Sequence, residues 1–259
     1  MNIFDLSERV AVVTGGNGGI GLGIAQALAG AGCRVSIWGR NADKNKNAAA
    51  TMASAPGEVD IQICDVTDAV SVASAMKATL DRFGRLDGCF ANAGIGGGGR
   101  RAFIDRTEQE WRQMFATNLD GVFHVFQVVA RHMTERAENG DRFGRLVATS
   151  SMASLFGTAR NEHYAATKAA INALVRALAV ELARYGVTAN AILPGWIKSD
   201  MTSGLMANDK FVANVMPRIP VRRFGEPADF GGIAVYLMSQ ASSYHTADCL
   251  VIDGGYSAF

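Results

Sequence analysis

Tyr164 and Lys168 stand four residues apart in "YAATKAA", so on a helix they share one face. Alanines at 165, 166, 169 and 170 favour that helix. A phenol titrates near pH ~10, too high for acid–base work at neutral pH, and an ammonium held beside it favours the phenolate and lowers that value. The pair therefore has the parts of a proton-transfer device. Taken alone it is more simply two residues of an exposed helix, and the rest of the chain has to decide. Upstream, "TGGNGGIG" (residues 14–21) lies between an apolar run and a helical pattern. A helix starting there offers free N–H groups and the positive end of its dipole to a phosphate. Gly15 can make the tight turn, while Gly19 and Gly21 allow close backbone approach and helix–strand packing. No G-K-[ST] ends the loop, which disfavours a P-loop.

These residues need a scaffold, and the hydrophobic pattern supplies one. Apolar, β-branched runs at "RVAVVTG", "CRVSIWG", "EVDIQICD", "RLDGCFANAG", "GRLVATSS", "VTANAILPG" and "CLVIDGG" read as strands. Longer helical patterns separate them. One is a long helix opened by an N-cap-like Thr107, with Gln109 and Glu110 in its first turn. Another carries Tyr164 and Lys168 on to about residue 185, and a further one spans 226–238. Strands buried on both faces and alternating with helices predict an α/β fold. It is a Rossmann-like, doubly wound parallel sheet of about seven strands flanked by helices. The alternation is unbroken, so residues 1–259 read as one domain. The irregular insertion at about 198–224 is apolar, with Met201, Leu205, Met206, Phe211, Val212, Val215 and Met216. It reads either as a flexible substrate lid or as ordinary packing of two short helices. "GIGGGG" (residues 94–99) reads as a mobile loop.

Bulk composition excludes several function classes. The 25 basic and 24 acidic residues leave a net charge of +1, and no basic run suggests a nucleic-acid partner. Cys33, Cys64, Cys89 and Cys249 form no C-x-x-C pair, and His124, His132, His163 and His245 have no metal-ligand spacing, so no metal site is expected. The cysteines read as reduced thiols of a cytoplasmic protein. The first ten residues carry no apolar signal core, and no stretch approaches the ~20 apolar residues of a membrane span.

"TGGNGGIG", "ANAG" at 91–94, "TNLDG" at 117–121, "SS" at 150–151, "YAATK" at 164–168 and "PG" at 194–195 follow one another as in the short-chain dehydrogenase/reductase family. The chain resembles that family from its first strand to "VIDGG". The resemblance implies one Rossmann-like domain that binds a nicotinamide dinucleotide. It implies hydride transfer between that cofactor and a ketone or secondary alcohol. By the same resemblance Tyr164 is the catalytic acid/base, and Lys168 lowers its pKa and hydrogen-bonds the nicotinamide ribose. Ser151, thirteen residues before Tyr164, holds the substrate oxygen, with Ser150 in a structural role. Asn118, inside the long helix, positions a water that relays protons to Lys168. Physics agrees: negative charge grows on the carbonyl oxygen during reduction, and two hydroxyls can stabilise it while one delivers the proton. His163 is expected to face elsewhere, as a pocket-edge or surface residue.

The resemblance also assigns cofactor contacts. Asn17, Gly18 and Ile20 join Gly15, Gly19 and Gly21 in the phosphate loop. Asp65 and Val66 meet the adenine, Asn92, Ala93 and Gly94 the ribose side, and Pro194, Gly195, Ile197 and Ser199 the nicotinamide. At the end of the second strand, where NAD-preferring members carry an acid, this chain has Gly39 followed by Arg40. An arginine fork suits a phosphate dianion, which favours NADP(H) over NAD(H). Apolar residues around the insertion point to a hydrophobic carbonyl or alcohol, with Met152, Leu155, Phe156 and Trp196 as further pocket candidates. Arg100 and Arg101 could meet an anionic group. A 3-oxoacyl-thioester reductase is the alternative reading, and a non-catalytic dinucleotide-binding regulator a third. The three-residue gap in "YAATK" argues against the enoyl reductase variant, which spaces tyrosine and lysine more widely. Family members are commonly homotetramers, and many have glycine where this chain has Ala247.

Overall fold

Residues 10–13 show in four positions how the sheet forms. Val10 and Val12 enter one hydrophobic cluster, Ala11 and Val13 another. Successive strand residues point to opposite faces, so a run of small and β-branched residues with no polar break must be covered on both sides. A computed structural model describes residues 3–96 and 101–258. Among them are seven strands: β1 (Val10–Thr14), β2 (Arg34–Gly39), β3 (Val59–Ile63), β4 (Gly88–Ala91), β5 (Gly144–Thr149), β6 (Val187–Pro194) and β7 (Cys249–Ile252). All pair in parallel, in the order β3-β2-β1-β4-β5-β6-β7. The expected doubly wound sheet is present.

Helices α1 (Gly19–Gly30), α2 (Ala42–Ala50) and α9 (Gly231–Met238) cover one face, and α3 (Ala69–Phe83), α5 (Gly121–Glu138) and α6 (Glu162–Leu182) the other. The long helix expected from residue 107 is broken. α4 (Glu108–Phe115), opened by a Thr107–Glu110 capping box, runs into a π turn at Ala116–Asp120 before α5 begins. The expected helix over 226–238 starts as a 3-10 turn, Pro227–Phe230. The insertion holds α7 (Ser203–Met206) and α8 (Asp209–Val215). It builds a small core of its own, in which Val215, Ile219 and Phe224 pack with Met206, Phe211, Val212, Met216 and Trp196. Most of its apolar residues are therefore spent on local packing. Residues 97–100, which include Arg100 and part of the glycine run, lie outside the described residues.

The strand order reverses between β1 and β4, which extend from the middle of the sheet to opposite edges. In open α/β sheets the crevice beyond the carboxyl ends at such a switch point is where ligands bind.

Candidate active site

The glycine loop fills this crevice. Gly15 and Gly19 sit at φ +63° and +50°, the left-handed region that favours glycine. A Cβ on Gly21 would overlap the Gly15 carbonyl, so only glycine lets α1 start this close to β1. At the helix start Gly18 makes no side-chain cap, has no acidic neighbour in the first turn, and has open space where a side chain would be. An uncapped N-terminus of this kind leaves backbone donors and a positive dipole end for an anion. The loop thus fits a pyrophosphate, with Asn17 and Ile20 flanking it. Asn17 turns sideways and donates to Asn45 Oδ1 at 2.6 Å. Ile20 packs against the α1 side of the core.

A chain of hydrogen bonds leads from this loop to α6, the helix that carries Tyr164 and Lys168. Thr14 Oγ1 accepts from Asn92 N and Ala93 N, both at 3.0 Å. Asn92 Nδ2 donates to the carbonyls of Thr14 and Gly15, and Asn92 Oδ1 accepts from Thr149 Oγ1 at 3.1 Å. Lys168 Nζ then donates to Thr149 O at 2.7 Å. Three neighbouring strand ends, β1, β4 and β5, are stitched to α6. Ser150 accounts for its own burial by donating to Lys168 O at 2.9 Å, the structural role expected of it.

Lys168 is buried, and desolvation pulls its ammonium down to about 8. Its Nζ lies 5.6 Å from the centroid of the Tyr164 ring. Burial pushes the Tyr164 phenol up, and a hydrogen bond with Ser151 opposes that rise. This corrects the expectation of a lowered phenol. The two residues share a face, but here the lysine's charge is directed at a carbonyl while the phenol is desolvated. Ser151 caps a short 3-10 turn by accepting from Ala153 N at 3.1 Å.

Asn118 is fully buried within the π turn, a second correction to the continuous helix. Its side chain reads a backbone: Oδ1 accepts from Ile95 N at 2.8 Å, and Nδ2 donates to Ile95 O at 2.9 Å. It holds the loop after β4, including Gly94, whose added Cβ would press on Asn118 Oδ1. A polar residue disfavoured in a regular helix is thus explained by a bulge that turns it inward.

The remaining contacts sit around the same crevice. Gly39 ends β2, and a Cβ there would overlap Asn17 Nδ2 and Asn45 Oδ1. Arg40 is exposed and faces Asp65 at 3.9 Å. Thr67 N and Oγ1 both donate to Asp65, which holds its carboxyl below the usual range. Val66 packs beneath Gly121 and accepts from His124 through its carbonyl. Gly195, following Pro194, donates to Ile252 O; Ile197 is buried, and Ser199 lies against Gly19. Met201 closes on Gly96.

Three expected rim residues move elsewhere. Trp196 stacks edge-on against Phe211 in the core of the insertion, because its ring completes that small cluster. Met152 joins the main core. His163 is 2% exposed and not on the surface, because its ring packs toward Arg106. Leu155 and Phe156 remain exposed, and Arg101 pairs with Glu110 at 3.5 Å. Sequence reasoning missed Thr149 and Asn45. Neither stands in a motif: strand register brings Thr149 to the crevice, and α2 brings Asn45 against the ends of β2 and β3, where its Nδ2 donates to Gly39 O and Gln62 O.

A family model described as Enoyl-(Acyl carrier protein) reductase matches residues 15–257. The chain is 36% identical over 256 residues to a 3-oxoacyl-[acyl-carrier-protein] reductase from Chlamydia pneumoniae, covering 98% of this chain and 99% of that protein. It is 34% identical over 255 residues to a gluconate 5-dehydrogenase from Gluconobacter oxydans, covering 98% and 96%. Its fold superposes with a TM-score of 0.92 on a gluconate 5-dehydrogenase from Burkholderia cenocepacia in complex with NADP and tartrate. That pair is 32% identical, covering 100% of this chain and 98% of the other.

Proposed function

This chain belongs to the short-chain dehydrogenase/reductase family of oxidoreductases, and we propose that it is an NADP(H)-preferring enzyme using Tyr164 as acid/base on a hydrophobic ketone or secondary alcohol. One observation carries the reading: the buried Lys168, beside Tyr164 and Ser151, is joined by hydrogen bonds through Thr149 and Asn92 to a glycine loop suited to a pyrophosphate. The glycine loop and Lys168 would hold the nicotinamide cofactor, which would supply or accept the hydride. In reduction Tyr164 donates its proton to the oxygen on which charge grows, and the Ser151 hydroxyl hydrogen-bonds that oxygen. Lys168 uses one of its three N–H donors on Thr149, which leaves two for a ribose and a water. Asn118 keeps the loop after β4 in register and lines the water route to Lys168.

Support for NADP(H) comes from Gly39. Two side-chain amides fill the space where an acid's side chain would begin, so no carboxylate is there to repel a 2′-phosphate. Arg40, with only a distant partner, is available to pair with that phosphate. Arg40→Ala is expected to raise KM for NADP(H) about 10- to 100-fold, the worth of a charged hydrogen bond. KM for NAD(H) should stay at its wild-type value. Equal changes for both cofactors would contradict the preference.

Exposed Leu155, Phe156 and Met201 around Ser151 and Gly96 support an apolar substrate. The same rim favours one second reading, reduction of a 3-oxoacyl thioester, which activity on acyl thioesters would reveal. The Tyr164–Lys168 spacing of one helical turn supports carbonyl rather than enoyl reduction. For assembly, exposed Phe123, Val180 and Val251 on α5, α6 and the edge strand β7 support a homotetramer. Among the described residues no helix is long and apolar enough to cross a membrane, and the free cysteines suit the cytoplasm.

A further inference from the structure

Arg106 takes no part in the site described above, yet its side chain is only 3% exposed. Its backbone N–H donates to Phe103 O at 3.1 Å, one residue before the capping box that opens α4. Its guanidinium reaches away from α4. Nη1 donates to His163 Nε2 at 3.1 Å, and Nη2 donates to the carbonyls of Arg160 at 2.9 Å and Arg101 at 3.3 Å. One planar group joins two loops and the first turn of α6. Arginine cannot accept, so His163 must present a bare Nε2 and carry its proton on Nδ1.

Within that turn Arg160 N donates to Glu162 Oε1 at 2.7 Å and Ala165 N to Asn161 O at 3.0 Å, and Arg106 Nη2 also faces Glu162 Oε2 at 3.9 Å. α6 starts from Asn161, whose side chain makes no cap, and Arg160 before it sits at φ +65° without being glycine. Asn161 Oδ1, Glu162 Oε2, His163 Nδ1 and Arg106 Nε are buried without a hydrogen-bond partner among the described residues. A segment carrying this much unpaired polarity and strain depends on an outside anchor for its order. The next residue is Tyr164.

We propose that Arg106, acting through His163, is a positioning residue that fixes the first turn of α6 and with it the Tyr164 phenol. The proposal rests on Tyr164 being the acid/base, as above. Protonation of His163 would set Nε2–H against an arginine N–H and open the clamp on the acid side. The charged groups around His163 are Arg106, Glu162 on its own helix, and Glu110 in the first turn of α4. Burial first and Arg106 second hold the imidazole below its ordinary value, against the pull of the two carboxylates.

The test compares His163→Phe, Arg106→Met and His163→Gln with the wild type by amide hydrogen exchange over residues 160–165 and by steady-state kinetics. His163→Phe and Arg106→Met should speed exchange there and lower kcat about 10- to 100-fold, the cost of an ångström-scale misplacement, with KM for the cofactor unchanged. His163→Gln keeps an acceptor for Arg106. It should restore both readouts and remove the acid limb that His163 gives kcat. Unchanged exchange in His163→Phe, or faster exchange with wild-type kcat, overturns the proposal. A wild type inactive on every carbonyl and alcohol would instead overturn the functional reading. Exchange would then still decide the clamp: faster in His163→Phe supports it, equal overturns it.

Discussion

Burial pushes Lys168 and Tyr164 toward their neutral forms, the lysine down to about 8 and the tyrosine up. At neutral pH the lysine still holds its charge and the phenol its proton, the state that the proposed role of Tyr164 as proton donor requires. The lysine also leaves a mark on stability. Below about pH 8 it is charged whether the chain is folded or not, and above its ordinary 10.5 it is neutral in both states. Between those values the unfolded chain holds a proton that the folded one has released. Its contribution therefore rises with pH across that window, by up to ~3 kcal/mol, and is lost as pH falls back through about 8. Denaturant unfolding of wild type and Lys168→Met should show the wild type gaining on the variant across the window. A constant difference would mean that Lys168 titrates as if exposed. The Tyr–Lys pair became legible only beside the chain's other motifs, because spacing alone reads as two residues of an exposed helix. The direction of the tyrosine's shift was not legible, because spacing carries no information on burial. His163 shows the same limit: next to Tyr164 in the chain, it faces a partner fifty-seven residues away.

At the scale of elements, the turn before β7 carries strain that the sequence hinted at. Ala247 sits at φ +65°, where an L side chain costs ~1–2 kcal/mol, and its N–H is committed to Ala189 O at 2.8 Å. Ala247→Gly relieves that strain but frees the unfolded chain, so a net stabilisation of ~0.5–1 kcal/mol is expected. Thermal unfolding measures it, and a lower midpoint would mean that the lost methyl packing outweighs the strain. The π turn at Ala116–Asp120 was harder to see. One widened turn leaves no periodicity, and its cause is a contact with Ile95 across the site. The insertion was ambiguous for a related reason. Apolar residues on short helices look alike whether they face a substrate or one another, and here most face one another.

Across the whole molecule the two ends of the sheet are built differently. At the amino end, buried Asp87 accepts from Val10 N, Arg85 and Arg136, and every one of these charges is internally matched. At the carboxyl end an uncapped helix, two hydroxyls and a buried lysine face the crevice. This polarity follows from parallel strands that all point one way. Most were legible as apolar runs bounded by turn residues, and β3 as an edge strand in which Asp60 and Gln62 alternate with Val59, Ile61 and Ile63. We propose that the carboxyl end of the sheet moves hydride with Tyr164 as its acid/base. The most direct test is Tyr164→Phe, with reduced-cofactor turnover on a panel of ketones and acyl thioesters and cofactor binding measured on the same preparations. The variant should bind NADP(H) as the wild type does and lose turnover by at least ~100-fold. Wild-type turnover in the variant would contradict that role of Tyr164.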